Sequence, residues 1–136
     1  MLKRFGVSLK EDLLNKFDLL LAEEGYSSRS EAIRDLIRDA LVRREWINEE
    51  TEIAGVTTLV YNHHELELAQ KLTDVQHRNY GLIIASLHAH LDEHNCLEAV
   101  MLKGKAGEVK RIADGLISTR GVKHGQFVAT TTGTGL

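Results

Sequence analysis

Proline is absent from the chain, so segment boundaries have to be read from glycine, serine and asparagine and from changes in the period of the apolar residues. A single cysteine, Cys96, excludes an intrachain disulfide and leaves a thiol that is structural, reactive or a metal ligand. No apolar run approaches the roughly 20 residues that a membrane helix needs. Behind the basic pair Lys3-Arg4 there is no long apolar stretch of the signal-peptide kind, so the expected compartment is the cytoplasm, with no membrane partner. Excess positive charge is also missing: 17 Lys and Arg against 20 Asp and Glu leave a net charge of −3. A non-specific DNA binder presents a basic surface, so affinity for nucleic acid here has to come from local placement. Histidine is what the chain does have, with seven in 136 residues. His77, His88, His90, His94 and His124 draw attention to the C-terminal half.

Near the N-terminus Phe5, Val7 and Leu9 alternate with Arg4, Gly6 and Ser8, the period of a short strand with one apolar face. Ser8 followed by Glu11 predicts a capping box that opens a helix. Leu13, Leu14, Phe17, Leu20 and Leu21 recur at helical spacing, and Gly25 closes that helix. Ser28 and Glu31 form a second capping-box candidate. Ala32, Ile33, Leu36, Ile37, Ala40 and Leu41 then make an apolar stripe that runs to about Trp46. A lone strand exposes its N–H and C=O groups and buries too little to be stable. The economical solution is a dimer in which two copies of this strand pair with each other. The expected domain is residues 1–48, followed by a polar, acidic linker, 49–52.

Residues 53–136 read as a second domain. Ile53 to Tyr61 is a strand, His64 to about Gln76 a helix, Leu82 to Leu91 a strand, Asp92 to Asn95 a turn, and Cys96 to Leu102 a strand. Gly107 to about Ser118 is a helix and Val122 to Thr130 the last strand. The order βαββαβ predicts a ferredoxin-like arrangement, and the whole chain is of the α+β class.

His88-x-His90 followed by Cys96 is the sharpest local signal. Residues i and i+2 of a strand point to the same face, and the turn returns Cys96 alongside, so two imidazoles and a thiolate can converge on one ion. His77 is the natural fourth ligand, but a strand's length separates it from His90, and a ligand from a second subunit would resolve that. Three nitrogens and one sulfur suit Zn(II) in a tetrahedron and Ni(II) or Cu(II) in a square plane. His63, His64, His94 and His124 read as surface residues. In the first domain, a paired ribbon would present Arg4, Gly6 and Ser8 to the major groove of double-stranded DNA. Ser28, Arg29 and Ser30 at the start of the second helix suit a phosphate.

Two segments resemble a known family. Gly25-Tyr26-Ser27-Ser28-Arg29-Ser30-Glu31-Ala32-Ile33-Arg34-Asp35-Leu36 is similar to the second-helix signature of the NikR family, the nickel-responsive ribbon-helix-helix regulators. Ser86-Leu87-His88-Ala89-His90-Leu91-Asp92-Glu93-His94-Asn95-Cys96-Leu97-Glu98 resembles that family's metal-binding hairpin, and Gly121-Val122-Lys123-His124-Gly125 also looks like family sequence. The resemblance implies a ribbon-helix-helix (βαα) arm and an ACT-like C-terminal domain assembled as a homotetramer, a dimer of dimers, on palindromic operator DNA. It implies Ni(II) held in a square plane by His88, His90 and Cys96 of one subunit and His77 of another, supported by Tyr61, Gln76 and Glu98. Glu31 and Asp35 match acidic positions that bind a second cation between arm and core. Arg4, Gly6 and Ser8 fall at base-reading positions, where Gly6 replaces a polar residue and removes one contact. The function implied is repression of nickel-uptake genes.

Three other classes compete. An enzyme with a catalytic zinc would keep an open coordination position, which four protein ligands would close, so no enzyme is expected. An ACT-like small-molecule sensor with a structural zinc would keep its effector response when metal is removed. A ribbon-helix-helix protein of the antitoxin type seldom carries a second folded domain with a His/Cys cluster.

Overall fold

The computed structural model describes residues 1–136. It contains two compact units, Met1–Ala40 and Leu41–Leu136, divided within a helix rather than at a loop. No helix is long and apolar enough to cross a membrane.

In the first unit, helix α1 (Glu11–Glu24) ends at Gly25, whose φ of 80° is left-handed. The Gly25 N–H bonds to the Ala22 carbonyl and the Tyr26 N–H to that of Leu21, so two of the helix's last carbonyls are satisfied. Its start differs from expectation. The helix begins at Glu11 with Lys10 as cap and no side-chain capping bond. Ser8 lies too far upstream to reach the first free N–H groups, and the expected capping box is not formed. Helix α2 (Arg29–Ile47) does start on a side chain, because the Glu31 N–H donates to Ser28 Oγ at 3.2 Å. Glu31 does not reach back to close the box; it accepts from Ser27 Oγ at 2.7 Å.

Residues 1–10 form no paired strand. Phe5, Val7 and Leu9 are 70%, 63% and 44% exposed. A β-strand is made by hydrogen bonds to a neighbour, and one copy of this arm contains no other strand to supply them. The alternating pattern is thus present as an unpaired segment. Leu36 and Ile37 of the α2 stripe are also exposed. Phe5, Val7, Phe17 and Ile37, among others, line one open groove of this unit.

The second unit is a four-stranded antiparallel sheet. Its strands are β1 (Glu52–Asn62), β2 (Ile83–His90), β3 (Asn95–Lys105) and β4 (His124–Thr131), ordered β2-β3-β1-β4. Helices α3 (Leu66–Arg78) and α4 (Ala106–Ile117) complete the βαββαβ order. Every second residue of β1 (Ile53, Gly55, Thr57, Leu59, Tyr61) is buried, and so are Cys96, Glu98, Val100 and Leu102 of β3. These faces pack with Leu68 and Leu72 of α3 and Val109, Ile112 and Leu116 of α4 into one core. The opposite face lacks such cover: Leu87, Met101 and Val128 are all exposed. Helix α3 starts two residues later than expected, which leaves His63 and His64 in the turn before it.

One irregularity decides where the histidines point. Ile83 pairs with Leu102, but Ala85 pairs with Met101, so β2 carries an extra residue at Ile84. A bulge of this kind shifts the alternation by one. Regular pairing from Ile83 would turn Ala85, Leu87 and Ala89 toward the helices. With the bulge, Ser86, His88 and His90 face that side, opposite Val100, Glu98 and Cys96.

Thr57 is wholly buried and its hydroxyl has no partner. Leaving such a group unpaired costs about 1–3 kcal/mol. Thr57→Val keeps the shape and removes the hydroxyl. It is expected to unfold at an equal or higher temperature; a lower melting temperature by calorimetry would count against this account of the core.

Candidate metal centre and nucleic-acid surface

The β2–β3 hairpin is held by its own turn. The Asp92 carboxylate accepts the N–H groups of His94 and Asn95, both at 2.8 Å, and the Asn95 side-chain amide as well. The Asn95 amide and these two N–H groups pull its pKa down to about 2. Outside the hairpin, the His63 N–H donates to the His94 carbonyl at 3.1 Å and Lys123 Nζ to Asn95 Oδ1 at 2.6 Å. With the turn fixed, His90 lies directly across from Cys96 and His88 across from Glu98. Cross-strand partners project to one side, so both imidazoles and the thiol share the helix-facing surface at one end of the sheet.

Glu98 organises this surface. Its side chain is 5% exposed. Oε1 accepts from Tyr61 OH at 2.7 Å and lies 2.8 Å from His88 Nε2. Oε2 accepts from Gln76 Nε2 at 2.8 Å and Ser86 Oγ at 2.7 Å. Burial pushes the carboxyl pKa up, but the hydrogen bonds from Gln76, Tyr61, Ser86 and His88 outweigh it and hold it below the usual glutamate value. The Tyr61 phenol is driven well above its ordinary range by burial and then by the neighbouring carboxylate. Cys96 is buried at 1% exposure. Burial raises its thiol pKa, Glu98 adds to this, and the Tyr61 hydroxyl opposes it.

The expected metal residues are placed as follows. His88, His90 and Cys96 lie on one face of one hairpin, and Tyr61, Gln76 and Glu98 form one connected set beside them. His77 is exposed in the last turn of α3. Within one chain, no three His, Cys, Asp or Glu side chains are gathered into a group that could hold a metal ion. The His88 ring is engaged by Tyr61 and Glu98. The His90 ring lies edge-on to His63, with centroids 4.6 Å apart. Two imidazoles and a thiol on one sheet face are donors of the kind that suit a borderline or soft divalent ion. Two residues went unread in the sequence. Ser86 precedes His88 by two positions, and its alternation with the His pair was the available signal. His63 was expected at the surface; it is half-buried beside His90, and burial followed by the neighbouring His64 lowers its pKa. Only the tertiary packing of the turn before α3 places it there.

In the first unit, Arg4, Gly6 and Ser8 lie in the exposed segment that precedes α1. Ser28 is engaged as the cap of α2, and Ser30 is exposed beside it. Arg29 is not a free cation: its guanidinium forks onto Asp18 of α1 with two contacts of 2.8 Å. Tyr26 OH donates to Asp35 Oδ2 at 2.8 Å, and Ser27 to Glu31. Glu31 and Asp35, four apart on a helix, share one face.

Comparison with known proteins follows the same division. Residues 54–130 match the family described as the NikR C-terminal nickel-binding domain, and residues 3–44 match the ribbon-helix-helix proteins of the copG family. A protein of Nitratidesulfovibrio vulgaris (strain Miyazaki F) named as a nickel-responsive regulator is 58% identical over 96% of this chain and 94% of its own length. Proteins of the same name from Thermococcus onnurineus and Geobacter sp. (strain M21) are each 56% identical, over 96% and 98% of this chain and 94% and 96% of their own lengths. The chain therefore belongs to the NikR family: it is a ribbon-helix-helix transcription regulator with a nickel-binding C-terminal domain, and not an enzyme.

Proposed function

We propose that this regulator represses nickel-uptake genes from the cytoplasm, and that Ni(II) switches on its binding to a palindromic operator. The carrying observation is the hairpin register: His90 opposite Cys96, with His88 on the same face. His88, His90 and Cys96 supply three ligands, and His77, exposed on α3, supplies the fourth to a neighbouring subunit. Tyr61, Gln76 and Glu98 orient the ligands. When bound, nickel supplies a link between two polypeptides that neither protomer makes alone.

The assembly is a homotetramer, a dimer of dimers. Its uncovered sheet face, with Leu87, Met101 and Val128, is a surface that association would bury. In the arm, residues 1–48, two extended segments pair into an antiparallel ribbon. Phe5, Val7 and Leu9 turn inward, and Arg4, Gly6 and Ser8 meet base edges in the major groove. Ser28 and Ser30 sit at a helix N-terminus suited to a DNA phosphate. Arg29 reaches a phosphate by exchanging its contact with Asp18. Glu31 and Asp35 take a second cation, displacing the hydroxyls of Ser27 and Tyr26. Residues 49–52 link the arm to the nickel domain, 53–136.

A ligand shifts a conformational equilibrium only by its differential affinity for the two states. Coupling of about 1–3 kcal/mol is usual, which corresponds to roughly 5–150-fold in affinity. A titration of operator DNA with the full-length protein is expected to show a gain in that range when nickel is added, and nickel affinity should rise equally when operator is present. Equal DNA affinity with and without nickel would overturn the switch. Metal analysis together with the visible spectrum would establish square-planar nickel–thiolate coordination.

A further inference from the structure

Glu98 is the buried carboxylate beside the hairpin, and its partners come from three elements. Tyr61 belongs to β1, Gln76 to α3, and Ser86 and His88 to β2. A carboxylate has about four lone-pair positions, and all four are taken here. The two oxygens do different things. Oε1 faces His88 and Tyr61, the groups that touch the ligand side. Oε2 is held from behind by two neutral donors, Ser86 Oγ at 2.7 Å and Gln76 Nε2 at 2.8 Å.

We propose that Ser86 is a positioning residue of the metal centre: by pinning Oε2 of Glu98, it directs Oε1 onto the His88 imidazole and so sets the orientation in which that ring meets the metal. This rests on the reading of His88 as a ligand given above. The bulge at Ile84 places Ser86 on the same face as His88, two residues away. The hydroxyl hangs from a one-carbon side chain of the strand that carries the ligand, so it fixes the carboxylate in that strand's own frame. Gln76 reaches the same oxygen through a longer, flexible side chain from α3 and cannot set that frame alone. Without the Ser86 hydroxyl, Oε2 keeps one protein donor, from the α3 side, and that one-sided pull turns the carboxylate toward α3 and away from His88.

Partners of metal-bound imidazoles are worth roughly 10–100-fold in metal affinity. Ser86 acts one bond further out, so Ser86→Ala is expected to weaken nickel binding about tenfold, at the low end of that range. Ser86→Thr retains the hydroxyl on a side chain suited to a strand and should bind nickel nearly as wild type. A second measurement uses no metal: the imidazole nitrogen resonances of His88 in the metal-free full-length protein. They should report a hydrogen-bonded Nε2 in wild type and Ser86→Thr, and loss of that bond in Ser86→Ala. Wild-type nickel affinity in Ser86→Ala, or Ser86→Thr as weak as Ser86→Ala, would overturn the proposal. So would an unchanged His88 signal in Ser86→Ala. Cys96→Ala separates this failure from that of the underlying site: if it keeps a full-strength nickel–thiolate band, the ligand set is wrong and the role of Ser86 falls with it.

Discussion

Cys96→Ala is expected to abolish tight nickel binding, with a loss above the roughly 100-fold that even a supporting residue of a metal site can cost, and to erase the thiolate-to-nickel absorption band. The thiol is buried, sits opposite His90 and has no second thiol in the chain to replace it, because the chain has one cysteine. The substitution removes a single buried sulfur atom, so the sheet should survive it. The pH dependence is a sharper test. Nickel takes the thiolate, so binding expels a proton wherever the free thiol is protonated. Burial raises the Cys96 pKa above its ordinary value, so the thiol is protonated at neutral pH. Nickel affinity in the wild type should therefore climb with pH through neutrality and on through the usual thiol range. In Cys96→Ala that climb should be shallower by the contribution of one proton. A surviving absorption band, or equal pH slopes in the two proteins, would show that sulfur is not a ligand.

Glu98→Ala should be the most destabilising single change at the site. It leaves the hydroxyl of Tyr61, which is 1% exposed, with His88 Nε2 at 2.8 Å as its remaining partner, and leaves Gln76, Ser86 and His88 without their common acceptor. A buried donor left unpaired costs about 1–3 kcal/mol. Water can reach the half-buried Gln76 and the exposed Ser86, and His88 still faces the Tyr61 hydroxyl, so a loss in the lower part of that range, about 1–2 kcal/mol, is expected in denaturant unfolding of the metal-free protein. Glu98→Gln should fall between, because the amide keeps the shape and one acceptor oxygen but turns an N–H₂ group toward donors. The sign with pH follows from the lowered carboxyl pKa. Glu98 contributes stability that is fully present above its unfolded value and is lost as pH falls through the folded one. Glu98→Gln should therefore lose less stability than the wild type between neutral and acid pH. Unfolding of Glu98→Ala at the wild-type denaturant concentration would mean that the network carries no stabilisation.

Much of the architecture is readable before any coordinate is seen. The alternation of β1 and β3 and the stripes of α3 and α4 each bury one face, and a one-sided pattern announces itself. Gly25 marks the end of α1 because a left-handed residue is needed there and glycine takes it without strain. The Ser8 capping box failed because a motif of two residue types cannot say where the first helical turn begins. The strand at Phe5 is legible as a pattern and unpaired in one chain, since the chain offers it no neighbouring strand to bond to. Spacing alone said least about the extent of the candidate site, where Tyr61, Gln76 and Glu98 entered only through the family resemblance. His-x-His and Cys are local in sequence, whereas Ser86 and Gln76 are joined to them only through Glu98.

The amino-acid order alone determined the succession of helices and strands, the single thiol and the pair of imidazoles two apart, because each follows from spacing along the chain. Tertiary structure decided which side of the sheet those imidazoles occupy, through one extra residue at Ile84. It also decided that His63 leans on His90, that Arg29 is held by Asp18, and that Glu98 is buried among four donors. The physical reason is that a period-two pattern carries no information about register. The face a strand presents is set by its neighbour's hydrogen bonds, and a shift of one residue reverses it.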